Sequence, residues 1–339
     1  MLTIAVENST WNNLGDAFYQ TSLQRVLQKE LPNHRVVPFD GPIKRAFRPG
    51  RFENNCFDVR SWTEADHYVF SGPILRGFTA HYGDLIKHII EKGSTYSLIS
   101  VHSNAFDAEI PALRAFLAKY PPTAIHTRDH LTYEKIGDLV NPSLDGICFA
   151  FFVSRLDDIP TLSPNIPYIC SSFHSMKEPL LTVNSTSKDT SFIGADVSFE
   201  VTKRRIPWKL ERHADFRRTY QETLGPWRVI RPVHGLYPFP YLTFSRPNSY
   251  ITYNPLNMLA IYKYCDGVVT DRVHAGVAAL SFGRPARIVP VDSRFDLFSY
   301  APIKRVGGVF QIDEEAHERE YERHSAWIRN QFLDSILRV

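Results

Sequence analysis

The sequence predicts an α/β protein in which two doubly wound domains face each other across a cleft. Strand-like and helix-like segments alternate through most of the chain, the pattern of parallel sheets joined by crossover helices. At 339 residues the chain exceeds the size at which a single core usually keeps growing. Two domains of roughly 150 to 200 residues are therefore expected. The 43% hydrophobic content supplies material for two cores.

Taken in order, strands are predicted at 2–7, 34–39, 67–71, 96–102, 123–128 and 146–153. The first two are joined by a helix at 16–31 that carries Tyr19, Leu23, Val26, Leu27 and Leu31 on one side. Helices near 79–92, 108–119 and 130–137 fill the next gaps. A proline-spotted stretch at 159–179 marks a boundary, giving an N-terminal domain at 1–178 and a C-terminal domain at 179–339. The second domain opens with a strand at 180–183, followed by a polar, poorly periodic segment at 185–210. A helix at 211–223 and a strand at 228–233 come next. A helix at 256–264 has Asn254-Pro255 as cap and first-turn pair. A strand at 267–270 runs straight into a helix with Val273, Val277 and Leu280 on one face, which Gly283 and Pro285 end. After a strand at 287–291, a charged helix at 314–337 places Tyr321, Ile328, Phe332 and Ile336 on one face, and it is expected to pack back on the first domain.

Composition excludes several classes. A net charge of +3 and scattered basic residues do not fit nucleic acid as the main partner. The densest basic cluster, Lys203-Arg204-Arg205 with Lys209, reads as a solvated loop or a small anion patch. Cys56, Cys148, Cys170 and Cys265 form no C-x-x-C pair, so neither a zinc site nor a disulfide framework is expected. The apolar run at 2–7 lacks a basic leader, and no stretch approaches the ~20 apolar residues of a membrane span. A cytoplasmic protein with at most peripheral membrane contact is expected.

In such an architecture ligands lie at the carboxyl ends of the strands. There the sequence places Asn13-Leu14-Gly15-Asp16, where Gly15 permits close approach to the backbone and Asp16 either caps the helix or offers its carboxylate. Ser71-Gly72-Pro73 ends another strand in a turn without the G-x-G-x-x-G dinucleotide pattern. His102 and His234 each close a strand, fit for proton transfer, anion contact or a structural hydrogen bond. Arg128-Asp129 reads as structural, the aspartate capping a helix and the arginine pairing with a neighbouring carboxylate. In Thr270-Asp271-Arg272-Val273-His274, a cation and an imidazole flank a helix start, whose free amides and dipole favour an anion.

These residues resemble the polysaccharide pyruvyl transferase family. The likeness lies in Asn13-Leu14-Gly15-Asp16, in Ser71-Gly72, in Thr127-Arg128-Asp129 with Asp145 after it, and above all in Thr270–His274 with Gly283-Arg284-Pro285. It spans nearly the whole chain in the family's order. The resemblance implies two Rossmann-like domains around a cleft, similar to the B-type glycosyltransferases, with the acceptor on the N-terminal and the donor on the C-terminal side. It implies transfer of the enolpyruvyl carbons of phosphoenolpyruvate to two hydroxyls of a sugar of a cell-surface polysaccharide or its nucleotide- or lipid-linked precursor. The products are a cyclic pyruvate ketal and free phosphate.

That chemistry needs cations for a carboxylate and a phosphate, an acid for the methylene carbon, and a base for the acceptor hydroxyls. His274, His234 and Asp16 are the expected acid–base residues. Arg272, Asn13, Gly15, Ser71, Gly72 and His102 are expected to contact substrate. Neither a metal nor an organic cofactor is required. Family members often carry an arginine at the end of the second domain's first strand, where this chain has Val183-Asn184-Ser185. Lys188, Arg204 or Arg205 is expected to stand in, or the donor site is altered. Loops 41–62 and 236–250, rich in Tyr, Phe, Trp and Arg, are expected to line the acceptor pocket. The alternatives are a B-type glycosyltransferase using a nucleotide sugar and a glycan-binding relative that has lost turnover.

Overall fold

The computed structural model describes residues 1–8, 13–42, 58–103, 107–183, 192, 197–200, 220–235 and 246–338. The first domain is a six-stranded, all-parallel sheet in the order β2-β1-β3-β4-β5-β6. Its strands are β1 (Thr3–Glu7), β2 (Arg35–Phe39), β3 (His67–Gly72), β4 (Thr95–Val101), β5 (Ile125–Thr127) and β6 (Ser143–Asp145). All six residues of β3 are buried, as befits a central strand covered on both faces. The helices are α1 (Leu14–Glu30), α2 (Phe78–Glu91), α3 (Ile110–Lys119) and α4 (His130–Ile136). Because β1 connects outward to β2 on one side while β3 lies on the other, the crevice forms at the carboxyl ends of β1 and β3. Residues 13–16 open α1 after β1, and residues 71–72 end β3.

The second sheet has a parallel centre of β11 (Trp227–Pro232), β7 (Tyr168–Ser172), β13 (Gly267–Thr270) and β14 (Ala286–Ile288). Antiparallel strands extend it at both edges, namely β10 (Thr223–Leu224), and β16 (Val309–Ile312) with β15 (Ile303–Val306). The short β12 (Ser249–Tyr250) pairs with β11. The helices α5 (Pro255–Lys263) and α6 (Val273–Ser281) connect its strands.

The second sheet takes in a strand from before residue 178, its first strand β7. The segment at 181–183 is instead half of a two-stranded hairpin, β8 (Leu181–Val183) with β9 (Val197–Phe199), set apart from the main sheet. The expected helix at 211–223 lies largely outside the described residues, and its last residue belongs to β10. Asn184, Ser185, Lys188, Arg204 and Arg205 also lie outside them, as does most of loops 41–62 and 236–250.

The expected strand at 146–153 is a 3₁₀ helix, Phe149–Arg155. Residues Phe149 to Val153 are fully buried, so no alternation of polar and apolar residues distinguishes helix from strand in this run. It packs against α1 and α6 between the two sheets. One continuous core results, joining Ile4, Val6 and Phe18 of the first domain through Phe149–Val153 to Cys170, Val268 and Ala275 of the second. The first half of α1 is buried all round for the same reason, including Gln20, Thr21 and Ser22.

The chain ends in a helix, α7 (Glu314–Trp327), that continues through a π turn (Ile328–Phe332) into α8 (Leu333–Leu337). It lies back over the first domain. Tyr321 accepts a 3.0 Å hydrogen bond from Lys29 Nζ, His324 accepts one from the Ile147 amide, and Phe332 packs edge-on against His67. Among the described residues no helix is long and apolar enough to cross a membrane.

Candidate active site

The site begins where β13 passes into α6. Thr270 Oγ1 donates to the Ser172 carbonyl at 2.6 Å and accepts from the Arg272 amide at 2.8 Å, tying this turn to the end of β7. Asp271 faces inward and is almost wholly buried. Its carboxylate accepts three backbone amides, from His174 at 2.6 Å, Ser175 at 2.7 Å and Met176 at 2.5 Å, and so fixes the loop after β7. Arg272 is the N-cap of α6, and its Nη2 lies 3.3 Å from His174 Nδ1. The first intrahelical bond runs from the Gly276 amide to the Arg272 carbonyl, leaving the earlier amides pointing out of the helix start.

His274 projects from the first turn of α6 toward the start of α1. Its Nδ1 is 3.6 Å from Asp16 Oδ1, and Asn13 Nδ2 donates to Asp16 Oδ2 at 2.9 Å. Its Nε2 is buried without a hydrogen-bond partner. Burial, then the charges of Arg128 and Arg294, hold the imidazole well below its ordinary pKa of 6.5. His274 is therefore neutral at pH 7 in the free protein.

The two domains touch at this point. The Leu14 amide donates to the His234 carbonyl at 2.7 Å, and Asn13 bridges to Gly235. A Cβ on Gly15 would sit 3.1 Å from His234 Nδ1 and 3.1 Å from His274 Cβ, so a side chain there would crowd both histidines and glycine lets α1 approach them this closely. His234 itself is 1% exposed, and its Nε2 hydrogen-bonds the Tyr262 hydroxyl at 2.5 Å. Burial keeps it neutral, reinforced by Arg272, His274 and His174. It supports the floor of the site. Asp16 accepts a hydrogen bond from the side chain of the N-cap residue Asn13 and faces His274.

The first domain's wall comes from the ends of β3, β4 and β5. Ser71 is fully buried with its amide toward Glu7 Oε2. Gly72 adopts a positive φ of 90°, and its carbonyl accepts the His102 amide at 3.1 Å. His102 Nδ1 is 2.8 Å from Asp129 Oδ2. Asp129 also accepts from the Thr132 amide at 2.9 Å, as a helix cap should.

Arg128 departs from expectation. It is 2% exposed, forms no ion pair among the described residues, and its Nε and Nη1 have no hydrogen-bond partner. Its charge is felt by both His102 and His274. Arg294 acts on the same two histidines from the rim, where Asp292 holds it at 2.6 Å.

The structure thus brings Asn13, Gly15, Asp16, His234, Arg272 and His274 together, with His102 on the facing wall. Ser71 and Gly72 line the strand ends behind His102 through backbone contacts. Sequence reasoning missed Arg128, Arg294 and His174. For Arg128 the signal was present, since an arginine at a strand end beside an aspartate that is already engaged as a cap lacks an obvious partner. Arg294 and His174 come from a 3₁₀ turn and a loop, where no periodicity marks them. The arginine missing after Val183 was sought at a strand outside the main sheet. β7, the first strand of the second sheet, ends at Ser172, and Phe173 and His174 follow it. Among the described residues no group of three His, Cys, Asp or Glu side chains is arranged to hold a metal ion.

A sequence model of the family described as polysaccharide pyruvyl transferase matches residues 13–293. No curated protein matches the chain. Among solved structures, a Listeria monocytogenes protein described as a UDP-N-acetylglucosamine 2-epimerase aligns with a TM-score of 0.50 at 10% identity, over 95% of this chain and 90% of that one. The S. aureus MnaA–UDP structure aligns at 0.49 with 13% identity over 96% and 91%. The UDP-GlcNAc 2-epimerase of Neisseria meningitidis, bound to UDP-GlcNAc, aligns at 0.45 with 11% identity over 99% and 100%. At these identities the likeness is one of fold alone, two Rossmann-like domains in the B-type glycosyltransferase arrangement.

Proposed function

The chain belongs to the polysaccharide pyruvyl transferase family and is a transferase, and from that premise we propose that it moves the enolpyruvyl carbons of phosphoenolpyruvate onto two hydroxyls of a polysaccharide sugar. The observation that carries this reading is Arg128. Burying a guanidinium that has no carboxylate partner among the described residues costs several kcal/mol, a cost a protein recovers when an anion completes the pair. Arg128 acts on the same histidine that Arg272 flanks, and Arg294 stands at the rim. Three cations and a helix start suit a ligand carrying both a carboxylate and a phosphate.

The chemistry follows from these groups. Asp16 faces Nδ1 of His274, which leaves Nε2 for the substrate. A donor carrying about three negative charges offsets the arginines that suppress protonation of His274, so the imidazole gains a proton as the donor binds. His274 then delivers that proton to the methylene carbon. The adjacent carbon becomes electrophilic, and an acceptor hydroxyl adds to it as its own proton leaves. The carbon–oxygen bond to phosphate breaks next, with the arginines stabilising the departing anion. A second hydroxyl adds, its proton ends on phosphate, and the ketal closes. His234 takes a positioning role beneath Gly15 and His274.

Calorimetric titration tests the donor site. Arg272→Ala is expected to weaken phosphoenolpyruvate binding by about 10- to 100-fold, the range of a lost charged contact. Unchanged binding would place the donor elsewhere. Thermal stabilisation by UDP, with none from phosphoenolpyruvate, would instead favour a nucleotide-sugar donor.

A further inference from the structure

Resting on the donor reading above, we propose that His102, oriented by Asp129, is the general base that activates the acceptor hydroxyl. His102 ends β4 and is 7% exposed. Its Nδ1 lies 2.8 Å from Asp129 Oδ2. Although burial works the other way, hydrogen bonds from His102 and Thr132 hold the Asp129 carboxyl below its ordinary range. An ionised carboxylate only accepts hydrogen bonds, so Nδ1 of His102 carries the proton and Nε2 carries the lone pair. That Nε2 is buried without a hydrogen-bond partner.

A buried Nε2 without a hydrogen-bond partner is not distinctive alone, since His67 and His126 also have one. Their Nδ1 atoms face the Thr95 hydroxyl and the Ser100 amide, whereas that of His102 faces a carboxylate that orients the ring. His102 thus leaves a basic nitrogen over, in the wall that also carries Arg128. The dyad is itself rigid. Thr132 donates to Asp129 from both its amide and its hydroxyl, at 2.9 Å each, and the Ser103 amide donates to that hydroxyl at 2.8 Å. The charged groups acting on His102 are Asp129, Arg128 and Arg294, and Asp292 is coupled to it from the rim.

Position separates the two histidines by task. His274 belongs to the second domain, His102 to the first, and Arg128 and Arg294 act on both. A donor held by those arginines lies between an acid on one wall and a base on the other. The acceptor oxygen forms its bond to the central carbon as its proton passes to His102 Nε2. That proton then leaves with phosphate, returning His102 to its neutral state.

The test uses the full chain, phosphoenolpyruvate and methyl glycosides of galactose, glucose and mannose in excess, whose O4 and O6 can close a six-membered ketal. Phosphate release gives turnover, and calorimetry gives donor affinity. His102→Ala and the near-isosteric His102→Gln are expected to lose about 100-fold or more in kcat, the usual contribution of a general base, while binding phosphoenolpyruvate within about two-fold of the parent. Added imidazole should restore part of the loss in His102→Ala. Asp129→Asn should lose at least about 10-fold in kcat through the wrong tautomer.

Turnover within about three-fold of the parent in either His102 variant overturns the proposal. So does a defect confined to donor KM, or one explained by a lower fraction folded in thermal melts. A parent chain that binds phosphoenolpyruvate but releases no phosphate to these glycosides or to water overturns it too. A parent chain that fails to bind phosphoenolpyruvate removes the donor reading, and this assignment with it, and the calorimetry tells those failures apart.

Discussion

Arg128 illustrates how one side chain can trade stability for binding. The guanidinium is buried without an ion pair among the described residues, which a stable fold has no reason to retain. Replacing it by an apolar side chain of similar length removes that desolvation cost. Arg128→Met is therefore expected to hold or raise unfolding stability, by up to about 1 to 3 kcal/mol, and to weaken phosphoenolpyruvate binding by about 10- to 100-fold. Thermal melts and calorimetry check the two effects separately. A clear loss of stability would show that Arg128 serves the fold. Gly15 makes the converse case, since its lack of a side chain allows the contact between α1 and the histidines of the second domain.

At the scale of elements, the closing helix from α7 to α8 depends on histidines that stay neutral. His67 and His126 are fully buried beneath it, and its own His324 is fully buried as well. Burial alone holds His67 down to about 3. Burial, assisted by Arg323, holds His324 at about 3, and burial followed by His324 and Arg323 holds His126 well below 6.5. In the unfolded chain each titrates near 6.5, so the unfolded state binds protons that the folded state cannot. The stability these residues share is complete above pH 6.5 and falls as pH drops from 6.5 toward 3. One unit below 6.5, each costs about 1.4 kcal/mol, or about 4 kcal/mol for the three. Denaturant melts at pH 7.5 and pH 5.5 should show a loss of at least that order, since the buried His234 and His274 add to it. His324→Gln, which can still accept the Ile147 amide, should make the acid dependence shallower, and an unchanged slope would refute the assignment.

For the whole molecule, the continuous core through Phe149–Val153 predicts that the two domains unfold together. Calorimetry is expected to show a single transition, and two resolved transitions would contradict this coupling. The site draws on both domains, so its ligand should stabilise them as one. At about 100 times its dissociation constant, phosphoenolpyruvate should add about 2.7 kcal/mol, which for a chain of this length is a rise of about 4 °C in Tm.

Legibility in the sequence followed from periodicity and from turn chemistry. Helices with one apolar face, such as 78–91 and 110–119, and strands bounded by turn residues were readable, because their pattern depends only on neighbours in the chain. The linker at 149–155 was not, because burial on every side erases the pattern. The helix start with Arg272 and His274 was readable for a similar reason, since a cap and its first turn are local features.

The sequence by itself determined the alternation of strands and helices, the helix start with its cation and imidazole, and the family likeness carried by short motifs in order. The tertiary structure alone decided which strand opens the second sheet, and therefore that His174 rather than Val183 stands just past its end. It also decided that Arg128 has no carboxylate partner among the described residues while His102 gains one, and that Asp16 faces His274 as well as its own helix start. The physical reason is that a side chain's partner is set by distance in space. Asp16 and His274 are brought within 3.6 Å by the packing of two domains, and nothing in the spacing of their motifs records it.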